Sequence, residues 1–357
     1  MILVIGSYSK AANPGIHFYR WQACESRFTP VYTIKGVENP SYMTIDDRKG
    51  LIYVVTEKKD NAEAELRIYR PESHGQQAEL TACISYNGAG SCYIINDSSG
   101  THSFITNYND GTLSIIKLPQ GKVPGRVVQH LKFSGSGPDV QRQEQPHLHS
   151  AILSKDECYL YCSDLGSDRL YRFAYHPGSD APLHLTEPAS QQLPPGSGPR
   201  HLALSKDGRW LYLITELSGE VFLFDTDNFR NGCLQSVSLL QEGYAGKIEA
   251  ADIQLHPSGA YLYASNRGDA NEIIVFSVHP VSGHLQFLQR TGAAGLSPRS
   301  LLICEQQELL LAANEQSDNI SIFKIRNNGT LEFTKVHLQV PCPTCLKTIP
   351  ASIEFMN

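Results

Sequence analysis

Apolar residues along this chain alternate with polar ones in short runs, and the runs come in pairs. The stretch Pro199-Arg-His-Leu-Ala-Leu-Ser-Lys-Asp-Gly-Arg-Trp-Leu-Tyr-Leu-Ile-Thr-Glu216 reads as a strand, a Gly-containing turn and a second strand rich in Tyr and Leu. Ala251-Asp-Ile-Gln-Leu-His-Pro-Ser-Gly-Ala-Tyr-Leu-Tyr-Ala-Ser-Asn266 repeats the pattern. It recurs from Pro40 to Glu57, Ser91 to Tyr108, Leu148 to Leu165 and Pro298 to Glu315. Units start at 40, 91, 148, 199, 250 and 298, with spacings of 51, 57, 51, 51 and 48 residues. A seventh start, Pro343-Thr-Cys-Leu-Lys-Thr-Ile349, comes 45 residues later and is not followed by a second strand. Ile2-Leu-Val-Ile-Gly-Ser-Tyr8, at the other end of the chain, has the pattern of that missing strand.

Each unit has room for four short strands. Third strands are expected at Glu220–Asp225 and Asn271–Ser277, and a fourth at Ser236–Leu240. Helical periodicity is absent, and 28 Gly with 20 Pro supply many turns, which excludes a helical solenoid. The pattern predicts an all-β fold: residues 1–357 as a single seven-bladed β-propeller domain, closed by pairing of the N- and C-terminal strands in one blade. Closure removes the sheet edge that would otherwise invite aggregation.

Composition narrows the function classes. With 41% hydrophobic and 18% charged residues the chain is globular. Its 30 basic against 36 acidic residues give a net charge of −6, which argues against a nucleic-acid or anionic-membrane binder. The apolar run Ile2–Ile5 is too short to span a membrane, so a cytoplasmic location is expected. The nine cysteines, at 24, 83, 92, 158, 162, 233, 304, 342 and 345, are an odd number in a large chain, and buried strand thiols are expected. Cys342-Pro-Thr-Cys345 is a lone pair with no second pair to complete a zinc site.

Candidate chemistry gathers where each first hairpin begins and ends. The Asp207-Gly208 turn lies midway between Arg200 and Glu216, so a regular hairpin sets them opposite each other at one end of the channel. Across units the first position reads Ser41, Cys92, His149, Arg200, Ala251, Arg299 and Thr344. The second reads Glu57, Tyr108, Leu165, Glu216, Arg267 and Glu315. Polar residues are ordinary at strand ends, and Glu57 and Glu315 individually read as structural. His147, His201 and Asp164 read as supporting hydrogen-bonders. His149, Arg200, Glu216 and Arg267 differ because three consecutive units bring them to one sector. A histidine and a glutamate can divide acid and base roles, and two arginines can hold an anion or a developing oxyanion. No metal and no cofactor are expected.

At these residues the chain resembles the seven-bladed propeller lactonase family, which includes bacterial cytoplasmic 6-phosphogluconolactonases and fungal carboxymuconate cyclases. The matching motifs are His147-Leu-His-Ser-Ala-Ile-Leu-Ser154, Gly198-Pro-Arg-His-Leu202, Thr215-Glu216, Ala250-Ala-Asp-Ile253 and Ser265-Asn-Arg267, with Asn39-Pro-Ser41 and Asn107-Tyr108 in earlier blades. The likeness covers the whole chain and is strongest from about 146 to 316. The chain departs from the family in two places: Asp46-Asp-Arg-Lys-Gly50 stands where a Pro-Asp-Gly turn is usual, and the Cys342-Pro-Thr-Cys345 near its end is unusual.

The resemblance implies that His149, Arg200, Glu216 and Arg267 carry the chemistry. Arg299, His147, His201, Asp252 and Asn266 are expected to bind substrate. The implied activity is metal-free hydrolysis of an anionic sugar lactone, foremost 6-phosphogluconolactone to 6-phosphogluconate in the pentose phosphate pathway, by a monomer or weak homo-oligomer. A carboxymuconate-type cycloisomerase or another lactonase is the alternative chemistry, and a non-catalytic interaction platform the alternative class. Glu216→Gln is expected to cut turnover without altering folding.

Overall fold

The computed structural model describes residues 1–8, 15–22, 25, 27–57, 64–71 and 77–349; Cys24 lies outside them. Among the described residues, strands assemble into seven four-stranded antiparallel sheets. In blade 4 the strands run outward in chain order as Pro199–Leu204, Trp210–Thr215, Glu220–Asp225 and Cys233–Ser238. This fourth strand starts at Cys233 rather than Ser236 and ends at Ser238, just before buried Leu239, whose N–H bonds to Gly219 O at 2.8 Å.

The inner strands form a closed ring. In blades 1 to 7 they are Pro40–Asp46, Ser91–Asn96, Leu148–Leu153, Pro199–Leu204, Ala250–Leu255, Pro298–Cys304 and Pro343–Ile349, each against the next and the last against the first. Blade 7 is completed by Ile2–Ser7, which pairs with Pro343–Ile349 from Ile2↔Ile349 to Ser7↔Pro343. The first and last of the described strands thus share one sheet.

Apolar side chains fill the wedges between blades. The second strands carry a fully or almost fully buried tyrosine at the same position in four blades: Tyr53, Tyr161, Tyr212 and Tyr263. Two of these hydroxyls cross to the next blade, Tyr212 donating to Gly283 O at 2.8 Å and Tyr263 to Gly329 O at 2.9 Å. A buried phenol must find such a partner to avoid a desolvation cost. Gly329 has φ +82°, and a Cβ there would lie 2.2 Å from the Tyr261 ring, so this turn requires glycine.

The first hairpins are not regular. Pro199 pairs with Thr215 but Leu202 with Leu213, so the inner strand carries one extra residue. The same shift follows Pro40, Ser91, Leu148, Ala250 and Pro298, and occurs at Thr344 in blade 7. Each extra residue is a β-bulge, which releases a side chain from the pleat and re-aims it. The chain pairs again just beyond: Glu216 N–H bonds to Gly198 O at 2.7 Å and Glu57 N–H to Asn39 O at 2.8 Å. Arg200 and Glu216 therefore meet through their side chains rather than as directly opposed strand partners.

Candidate active site

Four of the bulged positions, Cys92, His149, Arg200 and Arg299, open onto a cavity of about 330 Å³ at one mouth of the channel, lined also by Glu57, Tyr108, Arg142, Glu216, Glu249 and Arg267. Glu216 is its electrostatic centre. Its Oε1 accepts from Arg142 Nη2 at 2.6 Å, and its Oε2 accepts from Arg200 Nε at 2.8 Å. Arg267 Nη2 lies 3.2 Å from Oε2, and His149 Nε2 lies 3.9 Å from the same oxygen. The four residues expected to act together are thus gathered around one carboxylate.

Burial alone would raise the Glu216 pKa. Arg267, Arg200 and Arg142 outweigh it, and the carboxyl is held well below the usual range. Arg200, only 3% exposed in its side chain, is pushed down to about 10 by burial and then by Arg267. Its Nη1 also donates to Ala251 O at 2.5 Å, fixing the guanidinium between blades 4 and 5. Glu216 is therefore the counter-ion of a buried arginine. Removing its charge would leave buried guanidiniums without their counter-ion, so a cost in stability is predicted for Glu216→Gln where the sequence alone suggested none.

His149 is held neutral: burial, then Arg200 and His201, push its pKa well below 6.5. Its ring stands edge-on to Tyr108 and His201, with centroids 5.7 and 5.2 Å away, and its buried Nδ1 has no partner among the described residues. Cys92 lines the same cavity, but burial pushes its thiol up to about 12, so it stays protonated and donates to the Leu148 and His149 carbonyls.

Of the residues expected to bind substrate, Arg299 lines the cavity. Its Nη2 donates to Tyr8 Oη at 2.7 Å and its Nη1 to Glu315 Oε2 at 3.3 Å, while Tyr8 Oη in turn donates to Glu57. His147, His201, Asp252 and Asn266 do not line it. His147 stacks on Tyr108 and its Nδ1 lies 2.7 Å from Tyr108 O. His201 Nδ1 bonds Asp252 Oδ1 at 2.9 Å, one step deeper along the inner strands, and Asp252 also accepts from Leu301 N at 2.8 Å. Asn266 Oδ1 accepts from Glu249 N at 3.3 Å. Asp164 accepts from His147 N at 2.7 Å and Gly166 N at 3.0 Å, a supporting role.

Arg142 was not singled out from sequence. It lies outside the repeat, in the connection between blades 2 and 3. The 57-residue spacing there, six more than the common 51, was the available signal. Tyr108, pushed up to about 12 by burial, keeps its proton and accepts from Arg142 Nη2 at 3.3 Å. The sector around Glu216 therefore holds three guanidiniums against one carboxylate, an arrangement that recruits anions. Among the described residues no helix is long and apolar enough to cross a membrane.

Comparison with known proteins agrees with this fold. A 6-phosphogluconolactonase of Bacillus subtilis is 26% identical over 348 residues, spanning 96% of this chain and 97% of its own. One from Formosa agariphila is 28% identical over 331 residues, spanning 90% and 92%. The solved structure of a periplasmic gluconolactonase from Pseudomonas aeruginosa superposes with a TM-score of 0.90 at 30% identity, over 98% of this chain and 99% of that one. The family model described as lactonase, 7-bladed beta-propeller, matches residues 2–348. This chain belongs to the seven-bladed β-propeller lactonases.

Proposed function

We propose that the protein hydrolyses an anionic sugar lactone, foremost 6-phosphogluconolactone to 6-phosphogluconate, without a metal. One observation carries this reading: a single carboxylate gripped by three guanidiniums beside a neutral, buried imidazole at an open mouth. The names of the Bacillus and Formosa relatives point to the same substrate.

In the free protein Glu216 is too strongly paired to be an effective base. An incoming anion competes for the same guanidiniums, weakens their hold on Glu216 and raises its basicity. Glu216 then takes a proton from water as the water oxygen bonds to the lactone carbonyl carbon. Arg200 and Arg267 stabilise the oxyanion, a role worth ~3 kcal/mol of barrier per donor. The bond from that carbon to the ring oxygen breaks, and the proton held by Glu216 passes to the ring oxygen. His149, neutral throughout the working range, acts as a hydrogen-bond donor to the reacting oxygen rather than as an imidazolium acid.

A phosphorylated substrate would make the enzyme a cytoplasmic member of the pentose phosphate pathway. The name of the Pseudomonas neighbour instead suggests an unphosphorylated gluconolactone. The deciding experiment compares hydrolysis of 6-phosphogluconolactone and gluconolactone by purified, chelator-treated protein, with Glu216→Gln as control. A fast, Glu216-dependent rate on the phosphorylated lactone supports the reading. A rate equal to buffer with both lactones overturns it and turns attention to carboxylated lactones.

A further inference from the structure

The three arginines around Glu216 are not equivalent. Arg200 is committed by two atoms, Nε to Glu216 and Nη1 to Ala251 O. Arg267 is tied through Nε to Glu249 O at 3.1 Å as well as to Glu216. Arg142 makes its side-chain bonds through Nη2 alone, which leaves Nε and Nη1 without a partner among the described residues. Its side chain is 35% exposed, against 3% for Arg200 and 10% for Arg267. It is the guanidinium that an incoming ligand reaches with donors to spare.

Arg142 is also held by a built connection rather than a loose one. Asp139 Oδ1 accepts from the N–H groups of Gln141 and Arg142 at 2.9 and 3.1 Å, and Asp139 O accepts from Gln143 N at 2.7 Å. Fully buried Gln143 anchors the turn on blade 3, its Nε2 donating to Leu165 O and Asp168 Oδ1, both at 2.8 Å. Gly166 lets the backbones close up: a Cβ there would lie 1.8 Å from Gln145 O.

We propose that Arg142 is the specificity-determining residue of this site: it binds the exocyclic anionic group of the lactone, a phosphate or a carboxylate, and in turning to that group it releases Glu216 to act as base. The inference rests on the lactonase reading and adds which side chain selects an anionic substrate. A planar guanidinium with two unoccupied N–H edges suits bidentate recognition of either oxyanion. Opposite it, Arg299 is already matched by Glu57, Glu315 and Tyr8, so that side of the cavity offers no comparable cationic excess.

The test measures kcat/KM for 6-phosphogluconolactone and for gluconolactone in wild type, Arg142→Ala and Arg142→Lys. Loss of a charge-assisted contact predicts that preference for the phosphorylated substrate falls roughly 10- to 100-fold in Arg142→Ala and is partly restored in Arg142→Lys. Removing the cation also lets the Glu216 pKa rise, so the acid limb of kcat/KM moves to higher pH. A loss equal for both substrates, or no loss, overturns the proposal. Calorimetry with 6-phosphogluconate, glucarate and gluconate supplies a readout independent of turnover. Arg142-dependent binding of 6-phosphogluconate alone marks a phosphate reader, of glucarate alone a carboxylate reader, and of both a general anion reader. Affinities unchanged by Arg142→Ala overturn the proposal. Wild type that hydrolyses neither lactone refutes the sugar-lactone reading, while the calorimetry still decides the role of Arg142.

Discussion

Glu216→Gln tests whether one carboxylate serves both the chemistry and the fold. The substitution keeps shape and one carbonyl acceptor but removes the charge facing guanidiniums at 2.6, 2.8 and 3.2 Å. Breaking a buried ion pair by removing one partner costs about 3–5 kcal/mol, and the retained acceptor argues for the low end, about 3 kcal/mol. For a chain of this length the unfolding entropy is about 0.75 kcal/mol/K, so the melting temperature should fall by about 4 °C. The pH dependence is specific. The folded pKa of Glu216 lies below its unfolded value near 4.5, so its stabilisation is fully present above that value and is lost only as pH falls through the folded pKa. The difference between wild type and Glu216→Gln, followed by thermal and urea unfolding, should therefore be constant from pH 6 to 8. Turnover should fall by about 10²- to 10⁴-fold, the span of a general base. A variant as stable as wild type would refute the counter-ion argument, as would a difference that already fades at pH 6.

Arg267→Ala should lower kcat by about a hundredfold through loss of an oxyanion donor, read by steady-state kinetics on the preferred lactone. His201, pushed down to about 4 by burial and by Arg200, is neutral in the fold but takes a proton in the unfolded chain below about 6.5. Stability should consequently be present above pH 6.5 and decline toward pH 4, with about 2 kcal/mol lost by pH 5 on account of this residue, and His201→Asn should be less acid-sensitive in urea titrations. Gly329→Ala should destabilise by at least about 1 kcal/mol more than Gly121→Ala, because both positions have positive φ but only Gly329 faces a neighbouring ring. Equal losses in those two variants would remove the steric argument.

The repeat was legible because each unit spells out its hairpin in Tyr- and Leu-rich second strands and Gly-containing turns, and because Ile2–Ser7 carries the pattern that blade 7 lacks. His149, Arg200, Glu216 and Arg267 were legible as strand-end positions for the same reason. The bulges were not, since an extra residue in one strand changes neither the alternation of the apolar positions on either side nor the turn. Arg142 escaped because repeat logic is silent about chain that does not repeat. His201 and Asp252 stand beside the chemistry in sequence, yet the pleat carries them one step deeper, where they satisfy each other. Both lie in the bulged stretch, where strand alternation does not assign a side, so adjacency in a motif did not distinguish lining from support.

The bulge at the head of every inner strand has a consequence for how such an enzyme changes. The residue it frees stands outside the regular backbone pairing of the hairpin, so replacing it need not disturb the ladder on which the ring depends. Three of the seven such positions bear a catalytic candidate or a cavity arginine, His149, Arg200 and Arg299, while Ser41, Cys92, Ala251 and Thr344 are small. The scaffold thus works like a turret with interchangeable fittings: side chains at a few sockets around one rim can be exchanged without re-registering the hairpins, provided the bond a socket lends the neighbouring blade, as from Arg200 to Ala251 O or Thr344 to Pro40 O, is kept.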